Sequence, residues 1–145
     1  MRLVLPAALA GEIMAAAKTA FPRECCGLIE GAPDGEGFFA TALYPARNLA
    51  AAADRFEIDP ADRVAAEKSA RARGHGIIGC YHSHPNGDPQ PSPHDFSGAA
   101  EENFLWLIAA TDGVRCRLAG FVYRPSGFEA IALNEAVPSP LHDRG

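Results

Sequence analysis

GIIGCYHSHP, residues 76–85, is the most informative stretch of this chain. Its first part, from Gly76 to His82, is apolar on both sides, which predicts a central strand covered by helices on both faces. His82 and His84 are two positions apart, so on a strand their side chains project from the same face and bring two imidazoles together. Pro85 ends the strand because it cannot donate a hydrogen bond to the ladder.

The segment that follows turns the chain back toward these histidines. Residues 86–91 form a loop rich in proline and glycine, and Ser92-Pro93-His94-Asp95 predicts a helix start, with serine at the N-cap, proline at N1 and an acid at N3. Such a cap is ordinary structure, but its carboxylate can also reach a metal at the loop mouth. Two histidines and Asp95 leave one tetrahedral position open, as catalytic zinc sites do. Asp88 is a competing ligand, although its loop lacks a helix to fix it.

The spacing His-x-His, seven residues, Ser, two residues, Asp resembles the signature of the JAMM (MPN-domain) metallopeptidases, in particular their compact bacterial members. Here it falls on His82, His84, Ser92 and Asp95, and Glu24 has the setting of the family's upstream glutamate. The resemblance implies one Zn²⁺ per chain with the two histidines and Asp95 as ligands. It further implies that Glu24 is the general base and that the Ser92 hydroxyl stabilises the oxyanion.

The resemblance also implies a function: a zinc-dependent metallopeptidase that hydrolyses a peptide or isopeptide bond after the C-terminal Gly-Gly of a small ubiquitin-like (sulfur-carrier) protein. The short interval from Asp95 to Phe104 excludes a long insertion, which favours a short extended tail as substrate, lying along an exposed strand edge. Two alternatives stay open. One is a non-catalytic MPN-type interaction module, and the other is a zinc hydrolase of small molecules, although no Cys-x-x-Cys pair is present.

Composition limits the remaining possibilities. A chain of 145 residues with a net charge of −5 suits one soluble domain and argues against nucleic-acid binding, and no segment is long enough to span a membrane. Residues 1–10 only faintly resemble a signal peptide. The absence of a disulfide framework favours a reducing cytoplasm. The oligomeric state cannot be inferred. The four cysteines are Cys25, Cys26, Cys80 and Cys116.

The order of elements predicts an α/β fold: a single domain over residues 1–134 with a mixed, curved β-sheet flanked by helices, followed by a disordered tail at 135–145. The family resemblance implies the same fold, with the shape of cytidine deaminases. The predicted strands are residues 3–5, 25–30, 38–44, 56–58, 76–82, 104–109, 115–124 and 128–133, and the predicted helices are 6–19, 60–74 and 93–101. Beside the site, we expect Cys80 to share the face of His82, Ser83 to be buried structure, and His75 and His94 to lie on the surface.

Overall fold

A computed structural model describes residues 1–135 of the chain. The disordered tail predicted from residue 135 therefore lies almost entirely outside the described residues, and the domain boundary at 134 stays a prediction. No helix in the described part is long and apolar enough to cross a membrane. The elements are β1 (Arg2–Val4), α1 (Ala7–Ala20), β2 (Cys26–Asp34), β3 (Gly37–Ala46), α2 (Pro60–Ala72), β4 (Gly76–His84), α3 (Pro93–Gly98), β5 (Leu105–Thr111), β6 (Cys116–Arg124) and β7 (Gly127–Asn134).

The strands form one mixed, curved sheet, as predicted. Their order is β1-β3-β2-β4-β5-β6-β7, with β4 antiparallel to β2 and parallel to β5. The sheet then closes into a barrel, since the short β1 pairs in parallel with both β3 and β7. This closure was not predicted from the sequence.

Helices cover both faces of the central strand β4, which confirms the prediction from its apolar sequence. Ile13 and Ala17 of α1 join one apolar cluster, which includes Tyr81 of β4. Ala66 of α2 joins a second cluster on the opposite face, which includes Cys80. Burial on two faces explains why β4 reads as a continuous apolar run.

The helix α2 begins as the sequence predicts. Asp59 is its N-cap and accepts a hydrogen bond from the backbone N–H of Ala61 at 2.9 Å, and Pro60 is the first helical residue. Gly74 follows the helix with φ of +79°, a conformation that glycine adopts without strain. By contrast, α3 ends at Gly98 rather than at residue 101, because Ala99 is already extended.

One local prediction between β3 and α2 is wrong. Residues 56–58 do not form a strand of the sheet, and only an isolated bridge joins Ile58 to Asn48. The Asn48 side chain explains this, because its Oδ1 accepts the backbone N–H groups of Glu57 and Ala50 that a ladder would otherwise use. In the first hairpin, β2 continues to Asp34 and β3 begins at Gly37, so the turn between them is shorter than the predicted strands 25–30 and 38–44 imply.

His75, predicted to lie on the surface, is half-buried because it pairs with a buried carboxylate. Its Nδ1 lies 2.8 Å from Oε2 of Glu30, a carboxylate on β2 with no exposed side-chain surface. Hydroxyls of Thr41 and Tyr44 donate to the same carboxylate, and Arg73 lies 3.2 Å from it. Burial alone would raise the pKa of Glu30, but these donors outweigh it and lower the pKa to about 2. Glu30 is therefore a fully satisfied buried charge.

Candidate metal centre

Three side chains converge where β4 ends and α3 begins. His82 and His84 are the final residues of β4 on one face, and Asp95 is the third residue of α3. The Nε2 atoms of the two histidines lie 3.0 Å apart, and each lies 3.0 Å from one oxygen of Asp95. All three residues are buried, with at most 3% of each exposed. The structure thus brings together the three residues that the sequence nominates as ligands.

Local hydrogen bonds fix two of these side chains. Ser92 and Asp95 form the predicted capping box: the Ser92 hydroxyl accepts from the Asp95 N–H at 3.1 Å, and the Asp95 carboxylate accepts from the Ser92 N–H at 2.8 Å. His84 donates from Nδ1 to the backbone carbonyl of Asp88 at 2.8 Å, which leaves its Nε2 lone pair facing the cluster. The carboxylate of Asp88 instead accepts from the N–H of Gln90. Asp88 therefore orients His84 through its backbone carbonyl, and its carboxylate does not compete with Asp95 as a metal ligand.

His82 is held by aromatic packing. The Phe56 ring is stacked on the His82 ring, with centroids 4.3 Å apart and an angle of 22°. Trp106 of β5 meets the same ring edge-on at 5.8 Å. Within the described residues, Nδ1 of His82 has no hydrogen-bond partner. Sequence reasoning missed both aromatic residues, although Phe56 lies in the RFEIDP segment that was interpreted as a strand.

The charges at the cluster favour a bound cation. Burial opposes ionisation of Asp95, but the close contacts of its carboxylate with the rings of His82 and His84 outweigh this effect and hold the Asp95 pKa well below its usual range. Burial lowers the pKa of His82, which favours its neutral, ligating form. Burial also acts to lower the His84 pKa, but its bonds to Asp95 and to the Asp88 carbonyl raise it. The ionised carboxylate of Asp95 and the neutral ring of His82 thus face the site, and Nε2 of His84 can supply a third lone pair.

The donor set fits zinc. Two imidazole nitrogens and one carboxylate oxygen are ligands that zinc commonly takes, and three protein ligands leave a fourth position free. Tetrahedral bonds of the usual length place neighbouring ligand atoms about 3.3 Å apart. The observed separations of 3.0 Å are close to this value. His82, His84 and Asp95 would therefore hold the ion with small side-chain adjustments.

Glu24 lies at the same end of the sheet. Cys26, the first residue of β2, pairs with His82, and Glu24 is two positions before it. Only 5% of Glu24 is exposed, and its Oε1 has no hydrogen-bond partner among the described residues. Burial raises the pKa of Glu24 to about 7, and His84 only partly offsets this effect. A buried carboxylate without partners beside a ligand cluster is typical of a functional group rather than a structural one.

The other polar residues near the site have structural positions. Ser83 is fully buried, as predicted, and its hydroxyl accepts from the backbone N–H of Cys25 at 2.8 Å. Cys80 does share the face of His82 and lies near Asp95 in a cavity wall. Burial raises the pKa of the Cys80 thiol, which disfavours the thiolate that a metal would bind. His94 is on the surface, as predicted.

Comparison with known proteins places the chain in a family. A family model described as prokaryotic homologs of the JAB domain matches residues 6–119. A desampylase from Haloferax volcanii is 36% identical over 63% of this chain and 66% of the relative. A probable TtuB-protein conjugate cleaving protease from Thermus thermophilus is 31% identical over 80% of this chain and 75% of the relative. The solution structure of a protein from Desulfitobacterium hafniense superposes with a TM-score of 0.86, covering 98% of this chain and 97% of that one at 27% identity.

The fold and the family match define the same class of protein, a JAB domain of the JAMM (MPN) type. The chain belongs to this family. The resemblance inferred from the sequence is therefore confirmed, and with it the enzyme class, a JAMM-type peptidase.

Proposed function

We propose that the protein is a zinc-dependent peptidase that cleaves a peptide or isopeptide bond after the C-terminal Gly-Gly of a small ubiquitin-like protein. The observation that carries the proposal is the convergence of His82, His84 and Asp95 beside the buried carboxylate of Glu24, whose Oε1 has no hydrogen-bond partner within residues 1–135. The relatives named as a desampylase and as a TtuB-conjugate cleaving protease support a ubiquitin-like substrate. The free thiols of the chain are consistent with a cytoplasmic reaction.

The residues around the cluster supply the acid–base chemistry of amide hydrolysis. A zinc ion held by His82, His84 and Asp95 would polarise the scissile carbonyl and acidify the attacking water. Glu24 accepts the proton of this water as the new C–O bond forms. It then returns the proton to the nitrogen as the C–N bond breaks, which releases a carboxylate and an amine. A carboxyl group whose pKa is about 7 is suited to both transfers at neutral pH.

Ser92 is the proposed donor to the developing oxyanion. In the helix cap, its hydroxyl oxygen accepts the N–H of Asp95, so the hydroxyl proton remains available. A serine hydroxyl can accept one hydrogen bond and donate another, and therefore the two roles are compatible. One well-placed donor of this kind contributes about 3 kcal/mol to the transition state.

The tail of the substrate has a candidate track along β3. Within the described residues, β3 pairs with β1 only at Phe38 and Phe39, so the part from Ala40 onward pairs only with β2. This part ends at Ala46, which pairs with Cys26, the partner of His82. An extended Gly-Gly tail added to this edge would run toward the metal centre. Truncating the last residues of the partner should then abolish docking, and binding that survives the truncation would reject this track.

The test combines metal content with turnover. Mass spectrometry of untagged protein should show about one zinc per chain, and the double variant His82→Ala/His84→Ala should lose it. Turnover is measured on a panel of ubiquitin-like proteins ending in Gly-Gly and extended by a short peptide. Glu24→Gln should retain zinc and partner binding but lose cleavage. A chain that binds the panel, keeps its zinc and cleaves nothing would instead be a non-catalytic interaction module.

A further inference from the structure

A cavity of about 450 Å³ opens beside the metal centre, between α2, α3 and the face of the sheet. We call it the α2–α3 pocket. Its floor and walls are largely aromatic and aliphatic, and the residues that matter here are Leu28, Phe56, Ile58, Cys80, Gly98 and Trp106. Nothing in the catalytic scheme above requires this space.

The pocket is continuous with the site. Asp95, a candidate ligand, lines it directly. Phe56 forms part of its wall and also stacks on the ring of His82. When the scissile bond of a substrate lies at the metal centre, the residues next to that bond can therefore reach this pocket.

The chemistry of the pocket selects an uncharged occupant. Most of its wall is hydrocarbon or aromatic surface, from residues that include Leu28, Ile58 and Trp106. Arg63 is the cation at the rim, but its guanidinium lies over the Phe104 ring at 4.7 Å and pairs with Glu67 and Glu101. It is therefore already neutralised. Asp95 is paired with His82 and His84, and Glu57 and His94, which also line the pocket, are exposed to solvent. An apolar side chain would therefore be desolvated here without leaving a buried charge unpaired.

We propose that the α2–α3 pocket binds a bulky apolar side chain of the residue immediately after the scissile bond, on the leaving side. This inference rests on the proposed function, because the two glycines before the bond carry no side chain that could fill the pocket. The lysine of an isopeptide bond would offer only an unbranched alkyl chain. The pocket therefore favours linear tails in which an aromatic or branched aliphatic residue follows Gly-Gly.

Cleavage of matched substrates tests this preference. One ubiquitin-like protein is given tails of Gly-Gly-Xaa, with phenylalanine, leucine, alanine or aspartate at Xaa. We expect kcat/KM for phenylalanine or leucine to exceed that for alanine by roughly tenfold or more. Equal rates for all four tails would reject the pocket assignment and leave the proposed function standing. A preference that instead follows the residue before Gly-Gly would also reject it.

A substitution at Gly98 tests the location. Gly98 lines the pocket, a Cβ built there meets no atom within 4 Å, and the backbone has no positive φ, so a leucine is accommodated at this edge of the pocket and should narrow it. Gly98→Leu should reduce the preference for phenylalanine over alanine to near unity. Gly11→Leu on α1 is the matched control, because its Cβ is equally free of neighbours and lies on another helix. An unchanged preference in Gly98→Leu would overturn the proposal.

A binding measurement separates this proposal from the catalytic one. Trp106 is the only tryptophan of the chain and lines the pocket, so its fluorescence reports occupancy. Peptides of sequence Ala-Ala-Gly-Gly-Xaa are titrated into the Glu24→Gln variant. The proposal is supported if the fluorescence change saturates and the phenylalanine peptide reaches half-saturation at a concentration at least tenfold lower than the alanine peptide does. This result would support the pocket even if no substrate were cleaved. Indistinguishable titrations would refute it, whatever the activity.

Discussion

Replacing Glu24 with glutamine should make the metal-free protein more stable at neutral and alkaline pH, although it removes the proposed base. The pKa of Glu24 is about 7 in the folded protein, against an ordinary value of 4.5. A pKa difference of one corresponds to about 1.4 kcal/mol, so the ionised carboxylate costs the folded state about 3 kcal/mol above pH 7. Because the folded state holds this proton more tightly than the unfolded state, stability falls as the pH rises from 4.5 to 7. Glutamine carries no charge to bury.

Urea unfolding of chelator-treated protein at several pH values measures this effect. The two proteins should unfold alike near pH 4, and Glu24→Gln should be more stable by about 3 kcal/mol at pH 8, or roughly 10 °C in Tm. All other titrating groups are common to both proteins, so the difference between the two curves isolates Glu24. The same substitution at the exposed Glu12 is the matched control.

The reasoning would be refuted by a difference between wild type and Glu24→Gln that does not change with pH. It would also be refuted if the variant were less stable at pH 8, since that would mean that the carboxylate has favourable partners. A gain in stability together with a loss of turnover is the signature of a group kept for chemistry at a cost to the fold.

Three further predictions concern the scaffold. Glu30→Gln should destabilise the protein by about 3 kcal/mol at pH 7. Wild type should lose stability as the pH falls from 4.5 toward 2, and the variant should lose much less, as measured by circular dichroism. An equally steep loss of stability in the variant over this pH range would contradict the prediction. Asp59→Ala should cost about 1 kcal/mol in urea unfolding through loss of the α2 cap, and no loss would mean that the cap is dispensable. Gly79→Ala should cost about 2 kcal/mol because its Cβ would lie 2.3 Å from the Leu105 carbonyl oxygen, whereas Gly76→Ala on the same strand meets nothing and should be tolerated.

The parts of the fold that were predictable from the sequence are those with a local cause. The α2 start follows from the Asp59 cap and Pro60, and the end of β4 from Pro85, so both lie where the sequence places them. The meeting of His82 and His84 follows from the two-residue period of a strand. The position of Asp95 beside these histidines was predictable only from the spacing of the family motif, because local sequence does not determine the path of the loop between them.

The parts that were missed depend on contacts distant in sequence. Barrel closure rests on β1, a strand of three residues that pairs with two others far along the chain. The position of His75 depends on its contact with Glu30, which is 45 positions away. Phe56 looked like a strand residue because aromatic residues favour strands, but a stacking contact with His82 determines its position instead.

Glu24 and Glu30 are two buried carboxylates whose pKa values are shifted in opposite directions. They are six positions apart, both are buried, and each adjoins an apolar run, so apart from the family resemblance at Glu24 their local sequence does not distinguish them. Glu30 is ringed by donors that lower its pKa to about 2, which makes it a permanent charge that ties β2, β3 and the start of β4 together. Glu24 has an oxygen with no partner and a pKa of about 7. A protein stabilises a structural carboxylate by satisfying it, and it can use a carboxylate for proton transfer only by leaving it partly unsatisfied. The same burial therefore has opposite meanings at the two positions, and the difference lies in their hydrogen-bond partners.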